Sequence, residues 1–134
     1  MSDCIFCKIA NKEIPGKIVY EDDVCLAFLD LSQATKGHTL VIPKQHFDNF
    51  LCVDDVTLGH LMKVTQEVAK MIVDKLDAKG VNILTNTNEV AGQTVKHFHI
   101  HILPRYQESE LKIEFIDHSD SIDLDEILSK IKKD

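Results

Sequence analysis

Polar and apolar side chains alternate strictly over residues 97–102, where three histidines are interleaved with three apolar residues in the order HFHIHI. A period of two is typical of a β-strand, because successive side chains point to opposite faces of the sheet. The pattern predicts a strand whose apolar face packs on a core and whose other face carries the three imidazoles. We expect Pro104 to end this strand, since proline cannot donate a ladder hydrogen bond.

Four further strands are predicted upstream of the histidine strand. The runs GKIVYEDD and VCLAFLDL predict a hairpin around an acidic turn at Asp22 and Asp23. The run GHTLVIPKQH predicts the third strand, opened by Gly37 and closed by Pro43, and VNILTNTN predicts the fourth. After the histidine strand, residues 111–116 form a possible additional short strand.

Two helices are predicted from the spacing of apolar residues. Between about residues 56 and 76 the spacing is mostly three and four, which indicates a long amphipathic helix with Asp54 or Asp55 as its N-cap. A shorter helix is predicted from residue 122 or 123 to residue 131. Four of the five central strands are joined by short turns or loops and one connection is helical. We therefore expect an α+β fold with a five-stranded, largely antiparallel sheet.

The composition is that of an ordinary globular protein. The chain has 134 residues, 44% of them hydrophobic and 28% charged, which is enough for a proper core in a single domain spanning residues 1–134. The net charge of −7 and the lack of a Lys/Arg cluster argue against binding to the backbone of a nucleic acid. A small anionic ligand is compatible with this charge, because it needs only a local site.

The sequence also bears on the cellular compartment. No apolar run approaches the roughly 18–20 residues of a membrane span, and the start MSDCIFCKIA lacks the basic and apolar segments of a signal peptide. We therefore expect a cytoplasmic protein without membrane contact, where thiols stay reduced. The four cysteines are then metal ligands or small buried apolar groups before they are disulfides.

The three histidines of the predicted strand admit two functional interpretations. Histidines two residues apart can share a metal ion that keeps an open position for catalysis. Alternatively, an imidazole can attack phosphorus as a nucleophile and form a covalent intermediate. A purely structural role is disfavoured, because strand faces seldom carry three titratable rings without a task.

Cys4 and Cys7 have the C-x-x-C spacing of either a redox pair or half of a tetrahedral zinc site. A thioredoxin-like redox motif follows a strand within a βαβ pattern, and no strand is predicted before Cys4. Zinc is therefore favoured over redox chemistry. His46 and His97 are the candidates for the two remaining ligands.

The segment AGQT, residues 91–94, directly precedes the histidine strand. A loop of small residues brings backbone N–H groups close to an anion, and Thr94 adds a hydroxyl donor, which indicates a possible phosphate site. Asp30 follows a strand and is a candidate for binding a ribose hydroxyl pair, although turn capping is the commoner role. His60 has no supporting residue nearby in the sequence, and Cys25 is interpreted as a core residue.

The run HFHIHIL resembles the signature of the histidine triad (HIT) superfamily, in which three histidines alternate with apolar residues. The blocks CIFCKIANKEIPGKIVYEDD, CLAFLDLSQATKGHTLVIPKQH and AGQTVKHFHIHILPR are similar, in this order, to successive blocks of its Hint-like branch. The resemblance covers roughly residues 3–106. The acidic C-terminal segment, residues 107–134, contains no Trp and resembles the bacterial group of that branch.

The resemblance implies a HIT-like fold, with one long and one short helix per protomer beside the five-stranded antiparallel sheet. It implies a homodimer whose ten strands form one continuous sheet. It also implies a purine nucleotide site on the histidine face, with nucleotidyl transfer to the middle histidine. By position, His99 is this nucleophile, and His101 and His38 are its active-site companions.

The other nucleotide-binding residues implied by the resemblance fall into three groups. Asp30 matches the residue that holds the ribose hydroxyls, and Asn86 matches a polar residue beside the ribose and phosphate. The phosphate-contacting loop matches Gly92, Gln93 and Thr94. The apolar positions near the base match Phe6, Ile14 and Ile18.

In zinc-bearing members of the superfamily, the four metal ligands match Cys4, Cys7, His46 and His97. The resemblance thus implies one structural Zn²⁺ per protomer. A metal held by four protein ligands has no open position, and His99 then stays free to attack phosphorus.

The activity that the resemblance implies is cleavage of the P–N bond in purine nucleoside 5′-phosphoramidates, in which a nucleotide is joined to an amine. One alternative is a dinucleoside polyphosphate hydrolase, although that branch generally lacks the C-x-x-C start. The other is a nucleotide-binding adaptor with vestigial catalysis, which the intact His99, His101 and His38 disfavour.

Overall fold

A computed structural model describes residues 3–133 of the chain. Its five strands form one antiparallel sheet, and the strands are β1 (Ile18–Glu21), β2 (Cys25–Leu29), β3 (Thr39–Pro43), β4 (Gly80–Leu84) and β5 (Ile100–Arg105). Their order across the sheet is β1-β2-β3-β5-β4. The helices are α1 (Ile5–Ala10), α2 (Asp55–Leu76) and α3 (Leu124–Lys132). The predicted α+β fold with a five-stranded antiparallel sheet is confirmed.

Helix α2 is the predicted long helix, and it covers one face of the sheet. It begins after Asp54, whose carboxylate accepts a hydrogen bond from the Thr57 N–H at 3.1 Å, as an N-cap should. The buried side chains at spacings of three and four pack on the apolar residues of the histidine segment; the helix side contributes Leu61, Val64, Val68 and Ile72, and the sheet side Phe98, Ile100 and Ile102. The apolar face of the alternating pattern is therefore a core face, as predicted.

The short helix α1 covers the opposite face of the sheet and is not among the helices that the sequence predicts. Its six residues are too few to show a helical period. Phe6, Ile9 and Ala10 pack there on apolar side chains of β2 and β3. The histidine face is consequently covered by a helix, and His97 and His99 are buried there.

The histidine segment is only partly a strand. β5 begins at Ile100, so that His97 and His99 lie just before it and only His101 lies within it. The strand also continues through Pro104 to Arg105, contrary to the prediction that Pro104 ends it. β3 pairs with β5 only as far as Ile102, so that β4 is the one neighbouring strand at the proline.

The hairpin turn between β1 and β2 is tied to α2 through Asp22. One carboxylate oxygen of Asp22 accepts backbone N–H groups of Val24 and Cys25 at 2.8 and 2.9 Å, and the other accepts the Tyr20 hydroxyl at 2.8 Å and His60 Nε2 at 2.6 Å. Burial opposes ionisation of Asp22, but these donors outweigh it and hold the pKa of the carboxyl well below its usual range. His60 thus anchors the hairpin, and Cys25 is fully buried, as predicted.

The C-terminal segment is largely exposed. Residues 111–116 form no strand, which contradicts the prediction, because they pair with none of the five strands of the sheet. The predicted short helix is α3, with Asp123 as its N-cap, and none of its residues is buried. Large apolar side chains of the segment are exposed, including Phe115, Leu124, Leu128 and Ile131. Among the described helices, none has the length and apolar character to cross a membrane; the cytoplasmic location stays a prediction.

Candidate active site and metal centre

A cleft of about 340 Å³ lies on the face of the sheet that α1 covers. Its walls come from α1, the loop after β2 and the segment that leads into β5. Six of the candidate residues line it, namely Phe6, Ile14, Asp30, Thr94, His99 and His101. A larger groove of about 560 Å³ lies between α2 and β4, but no histidine or cysteine lines it. The cleft is therefore the candidate active site.

His99 is buried on the wall of the cleft, with 5% of its surface exposed. Its Nδ1 lies 2.7 Å from the backbone carbonyl oxygen of His97. A carbonyl oxygen only accepts hydrogen bonds, so the proton of the neutral ring sits on Nδ1 and Nε2 keeps its lone pair. Burial lowers the pKa of His99 against the effect of this hydrogen bond, which favours the neutral ring at pH 7. The ring can thus act as a nucleophile through Nε2.

The backbone around His99 is held by groups outside the histidine motif. The Thr85 hydroxyl donates to the His99 carbonyl oxygen at 2.7 Å, and the Phe98 N–H donates to the Phe47 carbonyl oxygen at 2.6 Å. Sequence reasoning missed Thr85 and Phe47. No sequence pattern identifies them, because Thr85 contacts a backbone atom of His99 and Phe47 contributes only its own backbone carbonyl.

His101 and His38 are joined to each other and lie beside Asp30. His38 Nε2 and His101 Nδ1 are 2.9 Å apart, and an Asp30 carboxylate oxygen lies 3.6 Å from His38 Nε2. Burial, with His99 and His38 nearby, lowers the pKa of His101 to about 4. The result is a chain of polar groups that ends at the cleft beside His99.

The same three side chains are close enough together to hold a metal ion. The 2.9 Å between the two ring nitrogens is the length of a hydrogen bond. Two imidazole nitrogens on one tetrahedral zinc, each about 2.0–2.1 Å from it, would lie about 3.3 Å apart. The geometry therefore favours a hydrogen-bonded pair over a metal site at His38 and His101.

The predicted metal ligands Cys4, Cys7, His46 and His97 come together in one cluster, which we call the metal centre. His97 Nδ1 lies 3.4 Å from Cys4 Sγ and 3.5 Å from Cys7 Sγ, and His46 Nδ1 lies 3.4 Å from Cys7 Sγ. Adjacent ligands of a tetrahedral zinc, at about 2.3 Å for sulfur and 2.0–2.1 Å for nitrogen, lie about 3.6 Å apart. The donor set and its spacing both fit a zinc ion.

Partners on the far side of each ring orient the two histidines of the metal centre. His97 Nε2 donates to the Pro43 carbonyl oxygen at 2.9 Å, and His46 Nε2 donates to the Asp48 carboxylate at 3.0 Å. Both Nδ1 lone pairs therefore face the thiols, as metal binding requires. Burial and the nearby Cys4 raise the pKa of the Cys7 thiol to about 11, a shift that a bound cation would oppose. The H-x-D spacing of His46 and Asp48 was a sequence signal for this pair.

Four of the candidate nucleotide-binding residues do not line the cleft. The Gln93 side chain donates to the carbonyl oxygens of Asp48 and Val95, and it accepts from a backbone N–H of its own loop. The Asn86 amide donates to the Gly92 carbonyl oxygen at 3.5 Å. These groups hold the loop that presents Thr94. The fourth residue, Ile18, packs at the margin of the apolar cluster under α1.

A model of the HIT domain family matches residues 11–108 of the chain. The chain belongs to the HIT domain family. A HIT-like protein of Methanocaldococcus jannaschii is 46% identical over 129 residues, which cover 96% of this chain and 98% of that one. A crystal structure from Streptococcus mutans superposes with a TM-score of 0.93 at 45% identity, covering 99% of this chain and 85% of that one.

Three further relatives are similar to most of the chain. The adenylylsulfatase HINT3 of Arabidopsis thaliana is 36% identical over 104 residues, covering 78% of this chain and 53% of that protein. A histidine triad nucleotide-binding protein of Candida albicans superposes with a TM-score of 0.85 at 30% identity, covering 98% and 93% of the two chains. A Zn-bound histidine triad family protein of Mycobacterium smegmatis superposes with a TM-score of 0.79 at 35% identity, covering 90% and 88%. Membership of the HIT family thus supports a nucleotide-binding hydrolase or transferase.

Proposed function

We propose that this HIT protein hydrolyses the P–N bond of purine nucleoside 5′-phosphoramidates through a covalent nucleotidyl intermediate on His99. The observation that supports this proposal is the position and tautomer of the His99 ring. It is buried on the wall of the cleft, and the His97 carbonyl holds its proton on Nδ1. A free Nε2 is what attack on phosphorus requires. The nucleotide-binding and adenylylsulfatase relatives support chemistry at a nucleotide phosphorus.

The proposed reaction consists of two displacements at one phosphorus atom. In the first, Nε2 of His99 forms a bond to phosphorus, the P–N bond breaks and the amine leaves. In the second, a water molecule gives one proton to the group that protonated the amine, its oxygen bonds to the phosphorus and Nε2 leaves, which releases the nucleoside monophosphate and regenerates both groups. Each displacement exchanges one neutral nucleophile for one leaving group, so that neither step needs a redox partner.

The departing amine must take up a proton, and His101 or a water molecule beside it is the best-placed donor. The pKa of His101 is about 4 in the free protein, because the ring is buried beside other imidazoles. An anionic phosphate bound next to the ring would raise that pKa and favour its protonated form. His38 is hydrogen-bonded to His101 and lies beside Asp30, and these two residues would keep the His101 ring oriented during this step.

The nucleotide is proposed to lie along the cleft. The Asp30 carboxylate would accept hydrogen bonds from the ribose hydroxyls, and the Thr94 hydroxyl would donate to the phosphate. The base would pack on Phe6 and Ile14, with Ile18 behind them. Asn86, Gly92 and Gln93 would act through the loop that carries Thr94, because their polar groups are hydrogen-bonded within that loop and, for Gln93, also to the Asp48 carbonyl oxygen.

We further propose that the metal centre holds one structural Zn²⁺ per protomer. Two thiolates and two imidazoles fill a tetrahedral zinc completely, so the ion would act as a cross-link without an open position. The spacing of the donor atoms, the outward hydrogen bonds of both histidines and the Zn-bound relative support this assignment.

A homodimer joined through β4 is proposed as the assembly. β4 is an outer strand of the sheet, and an unpaired strand edge is prone to pair with another chain. The 560 Å³ groove beside it is lined by apolar side chains of α2 and β4, including Met62, Val73, Val81 and Ile83. Antiparallel pairing of two β4 strands across a two-fold axis would extend the sheet to ten strands and cover both grooves.

The proposed activity is tested by offering the purified protein adenosine 5′-phosphoramidate, a diadenosine polyphosphate and adenylyl sulfate in parallel. We expect the phosphoramidate to be cleaved fastest. A preference for the diadenosine compound would support the polyphosphate hydrolase, and nucleotide binding without any turnover would support the adaptor.

The covalent step is tested with His99→Ala, which should abolish turnover and keep nucleotide binding. Rapid quenching of the wild-type protein with labelled substrate should trap an acid-labile, base-stable nucleotide on His99. His60→Ala is the matched control, because His60 lies on α2 and contacts Asp22 instead of the cleft. Near-wild-type turnover by His99→Ala would refute the nucleophile assignment.

A further inference from the structure

Phe6 packs against the proposed nucleophile from within α1, the helix that contains the metal-centre ligand Cys7 and follows directly on Cys4. Its ring centroid lies 5.0 Å from that of His99 and 5.9 Å from that of His97, with interplanar angles of 85° and 78°. Both contacts are edge-to-face, the arrangement that aromatic rings prefer. Phe28 supports the Phe6 ring from another side, at 5.6 Å. The short helix and its N-cap residue Cys4 thus carry the two thiols of the metal centre and a ring that contacts His99.

His97 connects the metal centre to the nucleophile by a second route. Its Nδ1 faces the two thiols at 3.4 and 3.5 Å, while its backbone carbonyl accepts the hydrogen bond from His99 Nδ1. The ligand of the metal centre and the acceptor that sets the tautomer of His99 are therefore parts of one residue. Any displacement of His97 also displaces that acceptor.

The position of α1 depends on contacts outside the helix. α1 has six residues, and an isolated helix of that length is unstable in water. Apolar packing holds its buried side, and a metal bound at the metal centre would tie its first turn to His46 and His97. Without the metal, the two cysteines keep only the weaker contacts of thiols with imidazoles, and apolar packing alone, including that of Phe6, holds the first turn of α1.

We propose that Phe6 is a positioning residue for the attack by His99, and that the metal centre sets the position of Phe6 and His97. Loss of the metal should then slow nucleotidyl transfer without weakening nucleotide binding. This inference rests on the proposed function. Its basis is that displacement of a reacting group by about 1 Å can cost about 100-fold in rate, whereas binding to the rest of a cleft tolerates such a shift.

Phe6 also lines the cleft, so a contact with the base alone is the competing explanation. Phe6→Leu separates the two explanations, because leucine keeps an apolar side chain and removes the aromatic ring that contacts His99. We expect the single-turnover rate of P–N cleavage at saturating substrate to fall about tenfold or more, with the Kd for AMP changed by no more than about twofold.

Ile14→Ala is the comparison variant, because Ile14 lines the same cleft and makes no ring contact with His99. It should weaken AMP binding and keep the single-turnover rate at saturation. If Phe6→Leu instead behaved as Ile14→Ala does, with weaker binding and an unchanged rate, Phe6 would be a base contact and the positioning role would be overturned.

The role of the metal is tested without substrate on the full-length wild-type protein labelled with ¹⁵N at histidine. In the zinc-loaded protein the His99 ring should show a single tautomer with its proton on Nδ1. Removal of zinc with a chelator should abolish that single pattern, while the far-UV circular dichroism spectrum shows that the sheet persists. Unchanged His99 ring signals after complete zinc removal would overturn the coupling. A wild-type protein that cleaved no phosphoramidate would overturn the proposed function and, with it, the predicted effect of Phe6 on the rate of P–N cleavage. The His99 ring signals test the coupling between the metal centre and His99 independently of turnover.

Discussion

Replacing Cys4 and Cys7 together by Ser should remove the zinc and a large part of the stability that it supplies. The donor atoms of the metal centre already stand 3.4–3.5 Å apart, so binding should need little rearrangement and should be tight. A ligand present at about 1,000 times its Kd stabilises the folded state by about 4 kcal/mol. For 134 residues, an unfolding entropy of about 2.1 cal/mol/K per residue amounts to about 0.28 kcal/mol/K. Loss of the zinc should therefore lower the Tm by about 14 °C.

The assay is thermal unfolding with and without a chelator, combined with elemental analysis of the purified protein. The wild type should contain one zinc per protomer and lose stability on chelation, while the double variant should contain none, ignore the chelator and keep measurable activity. Cys52→Ser is the matched control, because Cys52 is exposed and lies outside the metal centre. Full zinc content in the double variant, or no zinc in gently purified wild type, would refute the reasoning.

Four other outcomes are expected. His101→Ala and His38→Ala should slow phosphoramidate turnover less than His99→Ala does, because they assist the displacement and do not form the covalent bond; equal losses in stopped assays would contradict this order. Asp22→Asn should lower the free energy of unfolding at pH 7 by about 2 kcal/mol, since Asp22 accepts four hydrogen bonds. The pKa of Asp22 is depressed on folding, so its contribution is complete above the unfolded value of about 3.9 and is lost as pH falls towards the folded value. Chemical denaturation curves of the two proteins should converge in acid, and a pH-independent difference would exclude the carboxylate as its source. Ile83→Lys should convert a micromolar dimer to a monomer in analytical ultracentrifugation, whereas Val19→Lys on the other outer strand should not; the reverse result would place the interface at β1. In the proposed homodimer we expect the C-terminal segment of one protomer to lie near the active site of its partner, so deletion of residues 119–134 should change the preference among leaving groups. An unchanged preference would show that this segment does not reach an active site.

Local patterns in the sequence were sufficient for the elements whose side chains repeat with a regular period. The spacing of Leu61, Val64, Val68 and Ile72 predicts α2, and Asp54 or Asp55 as the N-cap predicts its start to within one residue. The alternation over residues 97–102 predicts which side chains face the α2 core, because successive side chains of an extended chain point to opposite faces whether or not a partner strand is present. The same reasoning failed for residues 111–116, since an extended segment becomes a strand only where another strand can pair with it.

The histidine and cysteine motifs identified the candidate residues, but their spacing alone did not decide between metal binding and nucleophilic attack for the histidines. Tertiary structure brought Cys4 and Cys7 to His46 and His97, which lie 39 and 90 residues beyond Cys7 in the chain. It also decided the tautomer of His99, because the deciding acceptor is a backbone carbonyl and every residue has one. The burial of the histidine face came from α1, a helix too short for its period to show. Sequence thus determined which groups are present and which face each occupies, whereas contacts between distant segments determined the protonation, orientation and exposure of those groups.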